Sequence, residues 1–190
     1  MHRQPLLEML SRYAEQYPEE TNVVERIRQL VASSPECFQR DCRPGHITAS
    51  AWVLSHDLSR CVLVHHRKLG RWLQPGGHAE GDNDLLAVAV REVREETGLV
   101  ELELMPTNDE LAPLDLDVHL IPPRVDATGN VIEPAHDHHD IRFLLRADAG
   151  QRLVLSQESN DVRWFTHEEV LEIADEESLL RMLRKAGPQA

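Results

Sequence analysis

The stretch from Asp84 to Gly98, DLLAVAVREVREETG, constrains this chain more than any other. Its spacing predicts a helix from about Asp84 to Thr97. Asp82, Asn83 or Asp84 can cap the start, and Gly98 can close the end in a left-handed turn. Leu86, Ala89, Val90 and Val93 recur at spacings of three and four, so one side needs a sheet or core to pack on. Glu92, Glu95 and Glu96 fall at i, i+3 and i+4 and share another face. Like charges at that spacing destabilise a bare helix by about 0.2–0.5 kcal/mol per pair. A divalent cation would turn that repulsion into ligation. Hard Mg²⁺ takes carboxylate oxygens, keeps waters and completes its shell with phosphates. On the carboxylates alone, the default is a solvated face neutralised by Arg91 and Arg94.

The rest of the chain alternates between helical and extended patterns. Pro5 suits the first turn of a helix whose stripe begins with Leu6, Leu7, Met9 and Leu10. Pro18 interrupts it. Val23, Val24, Ile27, Leu30 and Val31 then mark a second helix, ended by Ser33-Ser34-Pro35. Residues 1–44 are therefore expected to form a helical extension, too small to hold a core alone, that packs on residues 45–190 or on a second copy as a homodimer. Strand patterns occur at 47–54, 61–65, 100–104, 116–121, 141–146 and 162–165, with a tight turn at Pro75-Gly76-Gly77. Thr166 and Glu169 have capping-box spacing. A last helix, Ser178 to Lys185, stops at Gly187-Pro188. Strands, a helix, more strands and further helices imply an α/β fold with a mixed sheet covered on both faces.

Charge and cysteines narrow the function classes. There are 33 acidic against 20 basic residues, a net charge of -13, which argues against nucleic acid or an anionic membrane as partner. It leaves room for a phosphate-bearing small molecule, because bound cations reverse the local sign. The start lacks a long apolar run and a small-residue cleavage site, so no secretory signal is expected. Cys37, Cys42 and Cys61 have no paired spacing and read as free thiols of a cytoplasmic protein.

The residues from Gly77 to Leu99 closely resemble the signature of the Nudix hydrolase family. That signature is Gly, five residues, Glu, seven residues, Arg-Glu, an apolar residue, any residue, Glu-Glu, any residue, Gly and an apolar residue. Gly77, Arg91, Glu92, Val93, Glu95, Glu96, Gly98 and Leu99 all match, and Leu73-Gln74-Pro75-Gly76 resembles the usual lead-in. The first Glu of the signature is replaced by Asn83. The resemblance implies a Nudix-like α/β/α sandwich over about 46–175. It also implies a Mg²⁺- or Mn²⁺-dependent cleavage of a diphosphate linkage in a nucleoside diphosphate derivative. Glu92, Glu95 and Glu96 would be metal ligands, and Arg91 would orient a neighbouring glutamate by a charge-assisted hydrogen bond. Gly77 and Gly98 would shape the loops. Asn83 can neither act as a base nor supply charge, so Glu80, Asp82 or Asp84 would have to stand in.

The resemblance does not fix the general base. Glu158 is a candidate because it sits in a loop just before a strand. Arg67, Lys68 and Arg71 approach the glycines in sequence and are candidates for phosphate binding, with Gly76, Gly77 and His78. Trp72 could stack on a base. His65 and His66 are strand neighbours and point to opposite faces. In His136-Asp137-His138-His139-Asp140, alternate histidines share a side; a substrate-pocket role, with His138 as the candidate, or a loop-edge role is preferred over a dedicated zinc site, which wants three or four ligands, and a second cation held with Asp137 or Asp140 is the alternative. Three functions follow: a pyrophosphohydrolase of ADP-ribose or a nucleotide-sugar-like compound, a housecleaning nucleoside triphosphate pyrophosphatase, or a catalytically weakened nucleotide sensor. Pro113, one residue short of the position usual in the ADP-ribose subgroup, supports the first slightly.

Overall fold

The computed structural model describes residues 2–105 and 112–187; Pro188 lies outside them. Helix α1 (Gln4–Gln16) runs into a single 3₁₀ turn at Pro18–Glu20, where the proline breaks the helix, and α2 (Thr21–Ser33) follows. Strands β1 (Gly45–Ser55) and β2 (Arg60–His66) form a hairpin, then come β3 (Arg71–Leu73) and β4 (Gly76–His78). Helix α3 (Leu85–Thr97) leads to β5 (Leu102–Leu104), β6 (Asp115–Ile121), a small ribbon of β7 (Arg124–Val125) and β8 (Val131–Glu133), and the long β9 (His136–Ala147). Strand β10 (Ser159–Thr166), α4 (His167–Ile173) and α5 (Glu177–Ala186) complete the described chain.

The main sheet runs β10-β2-β1-β9-β5, with β3 on β2, β4 on β1 and β6 on β9. Among the described residues only β1 and β9 pair in parallel, so the sheet is mixed. Alternation along these strands makes two faces. Ile47, Ala49, Ala51 and Val53 of β1 and Ile141, Phe143 and Leu145 of β9 pack under α3. Trp52, Leu54, Cys61, Leu63 and Leu144 meet Val170, Leu179 and Met182 of α4 and α5 on the opposite face. The result is the expected α/β/α sandwich. The Thr166–Glu169 capping box at the start of α4 is present. Among the described residues no helix is long and apolar enough to cross a membrane.

The N-terminal helices share this core. Leu6, Leu10, Tyr13, Val24 and Ile27 are fully buried in the same cluster as β1 and α3. Around the β6 edge, Lys185 Nζ reaches the Tyr13 hydroxyl at 2.6 Å, Glu20 at 2.7 Å and Asp115 at 2.8 Å. Helix α5 is thereby fastened to α1 and to the sheet.

Two local readings change. The buried side of α3 is Leu85, Val88, Ala89 and Val93, while Leu86 and Val90 are only half-buried, so the stripe is rotated by one residue. The Gly76-Gly77 segment is a strand paired with β1 rather than a tight turn. Its glycines serve close approach instead of a left-handed φ: a Cβ on Gly76 would lie 2.2 Å from the Ser50 Cβ.

Candidate active site

Helix α3 is held at both ends. Asp84 caps it by accepting the Ala87 N–H at 3.0 Å, and Gly98 ends it at φ 75°. With its apolar side pinned to β1, its glutamate face turns towards β4. The Gly76 N–H donates to Glu96 Oε2 at 3.0 Å. Gly77 faces Glu92 so closely that a Cβ there would lie 2.5 Å from Glu92 Oε2. Arg91 Nη2 donates to Glu92 Oε1 at 2.8 Å and to the His78 carbonyl at 3.1 Å, locking the helix to the strand.

The electrostatics identify the cluster. Burial pushes Glu96 up to about 7, and the nearby Glu92, Glu158 and Glu95 push the same way against the Gly76 N–H. Burial also raises Glu92, with Glu95 and Glu158 adding to it against Arg91. Glu158 is exposed, in the turn just before β10, yet close enough to act on both. Four carboxylates thus converge where two are partly withdrawn from water. That is a poor resting state for carboxylates alone and a good one for a divalent cation, and the missing side chain at Gly77 lets the Glu92 carboxylate lie against β4.

The other sequence candidates divide. Arg67 lies beside Glu158: its N–H donates to the Glu158 carbonyl at 3.0 Å and its guanidinium to the Ser159 carbonyl at 3.2 Å. Arg71 is paired with Glu176. His66 is on the Glu158 side, whereas the His65 ring meets Trp72 at 5.1 Å on the other face. Trp72 is covered by Arg163, 4.6 Å from its ring. His78 and His138 lie on the sheet face away from α3, their rings 5.1 Å apart. Asn83 donates to the His2 carbonyl at 2.8 Å, so its side chain is engaged with the N-terminal segment. Of its possible stand-ins, Glu80 pairs with Arg40 at 3.5 Å, Asp82 accepts the Asp84 N–H, and Asp84 caps the helix.

The model of the NUDIX domain matches residues 44–186, about three quarters of the chain. The chain belongs to the Nudix family. A relative from Lactococcus lactis subsp. cremoris, named "Probable DHNTP pyrophosphohydrolase", is 31% identical over 124 residues, 65% of this chain and 68% of that protein. A Nudix hydrolase structure from Clostridium perfringens superposes with a TM-score of 0.57 at 20% identity, covering 74% of this chain and 95% of its own. The Nudix domain of Shewanella oneidensis NrtR, solved with ADP ribose, gives 0.52 at 20% identity, covering 84% and 95%. As a Nudix hydrolase, the protein acts on phosphoric anhydride bonds. Enzymes of this family generally use divalent metals. The N-terminal helices lie outside the matched region.

The signature missed two things. It does not show what Asn83 does, because its partner is in the N-terminal segment. It also gives no sign of His46, whose imidazole gathers with His78, His136 and His138 across three strands.

Proposed function

We propose that the protein is a Mg²⁺- or Mn²⁺-dependent pyrophosphohydrolase that cleaves the diphosphate linkage of a nucleoside diphosphate derivative of the ADP-ribose type. The observation that carries this is the convergence of Glu92, Glu95, Glu96 and Glu158 beside the side-chain-free Gly77. Glu92, Glu95 and Glu96 would hold the ion. When bound, it supplies charge neutralisation at the phosphates and a water more acidic than bulk water.

The chain's own residues do the rest. Arg91 fixes Glu92, and the Gly76 N–H fixes Glu96, so both carboxylates are oriented before substrate arrives. Glu158 accepts the proton of the attacking water. A new P–O bond forms as the bridging P–O bond breaks, and the departing phosphate keeps the electron pair. Arg67, beside Glu158, would meet the substrate phosphates by turning from the Ser159 carbonyl; Arg71 would reach them only by leaving Glu176. Gly76 and Gly77 let β4 close on Ser50 and on the Glu92 carboxylate, which sets the glutamates beside the strand. His78 and His138, on the other face of β4, lie apart from the glutamates and take no part in this step.

The likeness to a domain solved with ADP ribose supports this substrate class. The likeness to the DHNTP pyrophosphohydrolase favours a second reading, a nucleoside-triphosphate-like substrate. Incubation of the protein with Mg²⁺ and either ADP-ribose or a set of nucleoside triphosphates, with separation of products, distinguishes them. AMP with ribose 5-phosphate is the expected pair. Monophosphate with pyrophosphate from triphosphates alone would overturn the first reading in favour of the second.

A further inference from the structure

We propose a second metal site, built by His46, His136 and His138 for a borderline transition-metal ion of the Zn²⁺ class. It is separate from the glutamate face. The ligating atoms of these three residues lie within 4.8 Å of one another. The rings gather accordingly: 5.0 Å between His46 and His136, 4.7 Å between His46 and His138, and 5.3 Å between His136 and His138. A tetrahedral ion bound at about 2.0–2.1 Å would draw the three nitrogens closer, a change within reach of imidazole rotation.

The strand register makes the cluster. His136 and His138 are two residues apart on β9 and share a face, and His46 of β1 lies directly beside His138 in the parallel pair. His78 enters from β4 on the same face, 5.1 Å from both His46 and His138.

The decisive group is His46. It is 1% exposed, and neither of its ring nitrogens has a hydrogen-bond partner among the described residues, with the Cys42 backbone acting on the ring only from nearby. A buried imidazole with two orphaned nitrogens is costly unless something ligates it. His136 carries the complementary arrangement. Its Nδ1 is 3.0 Å from the Pro134 carbonyl, which fixes the tautomer and leaves the Nε2 lone pair for a metal.

The acids of the His136–Asp140 segment do not belong to the site. Asp137 pairs with Arg26 at 3.1 Å, and Asp140 accepts from Thr48, Ser50 and Arg142. The ligand set is therefore all imidazole, which suits Zn²⁺, Co²⁺ or Ni²⁺ and not Mg²⁺. Three protein ligands leave one position of a tetrahedral ion for water or a ligand oxygen. The two sites are sorted by chemistry: oxygen donors on the α3 face of β4, nitrogen donors on the other.

Co²⁺ titration of the chelator-treated full chain in millimolar Mg²⁺ tests the proposal. One equivalent should bind with the visible absorption of imidazole-ligated Co²⁺, and Zn²⁺ should displace it. His46→Gln and His138→Gln should each weaken binding at least about 100-fold, since a lost ligand should weaken binding at least as much as a lost supporting partner. Glu96→Gln should leave the absorption intact. His138 is half-buried, so its variant tests the site even where His46→Gln fails to fold. X-ray absorption of the Zn²⁺-loaded wild type should show imidazole scattering. Absence of the one-equivalent absorption, its survival in a folded His138→Gln, or its loss in Glu96→Gln would each overturn the assignment.

Discussion

Replacing Glu96 by Gln should stabilise the metal-free protein at alkaline pH while removing its activity. Glu96 is carried from an ordinary 4.5 to about 7 by burial and by the neighbouring glutamates. At about 1.4 kcal/mol per pH unit, the folded chain favours the protonated carboxyl by about 3 kcal/mol. The sign follows from linkage. Between pH 4.5 and about 7 the folded chain keeps a proton on Glu96 that the unfolded chain releases. Stability therefore falls as pH rises through that window, and the loss is complete above it. Gln keeps the acceptor for the Gly76 N–H without the charge. Glu96→Gln should match wild type near pH 4.5 and exceed it at pH 8 by up to about 3 kcal/mol, roughly 6–12 °C in Tm for a chain of this size. The assay is thermal denaturation in excess chelator at several pH values, followed by circular dichroism. Mg²⁺ should close the gap at pH 8 by stabilising wild type more than the variant. Parallel wild-type and Glu96→Gln curves from pH 4.5 to 8 would refute the account of this carboxylate.

Three further outcomes are expected. Gly77→Ala puts a methyl 2.5 Å from Glu92 Oε2, so turnover should fall at least about 10-fold with little change in Tm; an unchanged rate would show that Glu92 needs no such room. Arg142, 3% exposed, pairs with Asp115 at 3.1 Å, Asp117 at 3.2 Å and Asp140 at 2.9 Å, so Arg142→Met should lose about 3–5 kcal/mol in urea denaturation. Asn83→Glu should give no gain in activity or Mg²⁺ affinity, because position 83 faces the His2 carbonyl; a clear gain in either would show that it reaches the metal.

What was legible in the sequence was what short-range pattern encodes. The Asp84 cap, the Gly98 stop and the spacing of Glu92, Glu95 and Glu96 are all set within one helix, and all are found. The sandwich followed from the order of strand and helix patterns. What was not legible depends on pairing between distant segments. His46 joins His138 only through the parallel register of β1 and β9. Gly76 and Gly77 read as a turn because their strand pairing with β1 leaves no mark in the local pattern. The buried grouping of Asp115, Asp117, Arg142, Arg181 and Lys185 is assembled from two strands and a helix. In sequence each of these residues looks like ordinary surface charge.

The central claim is that the glutamate face of α3 holds a divalent cation that drives anhydride hydrolysis. The most direct test is the initial rate of ADP-ribose hydrolysis against Mg²⁺ concentration for wild type and Glu95→Gln. The account predicts a saturating Mg²⁺ dependence, abolished by chelator, and a kcat at least about 100-fold lower in a folded Glu95→Gln. A rate indifferent to chelator, or a Glu95→Gln variant as fast as wild type, would contradict it.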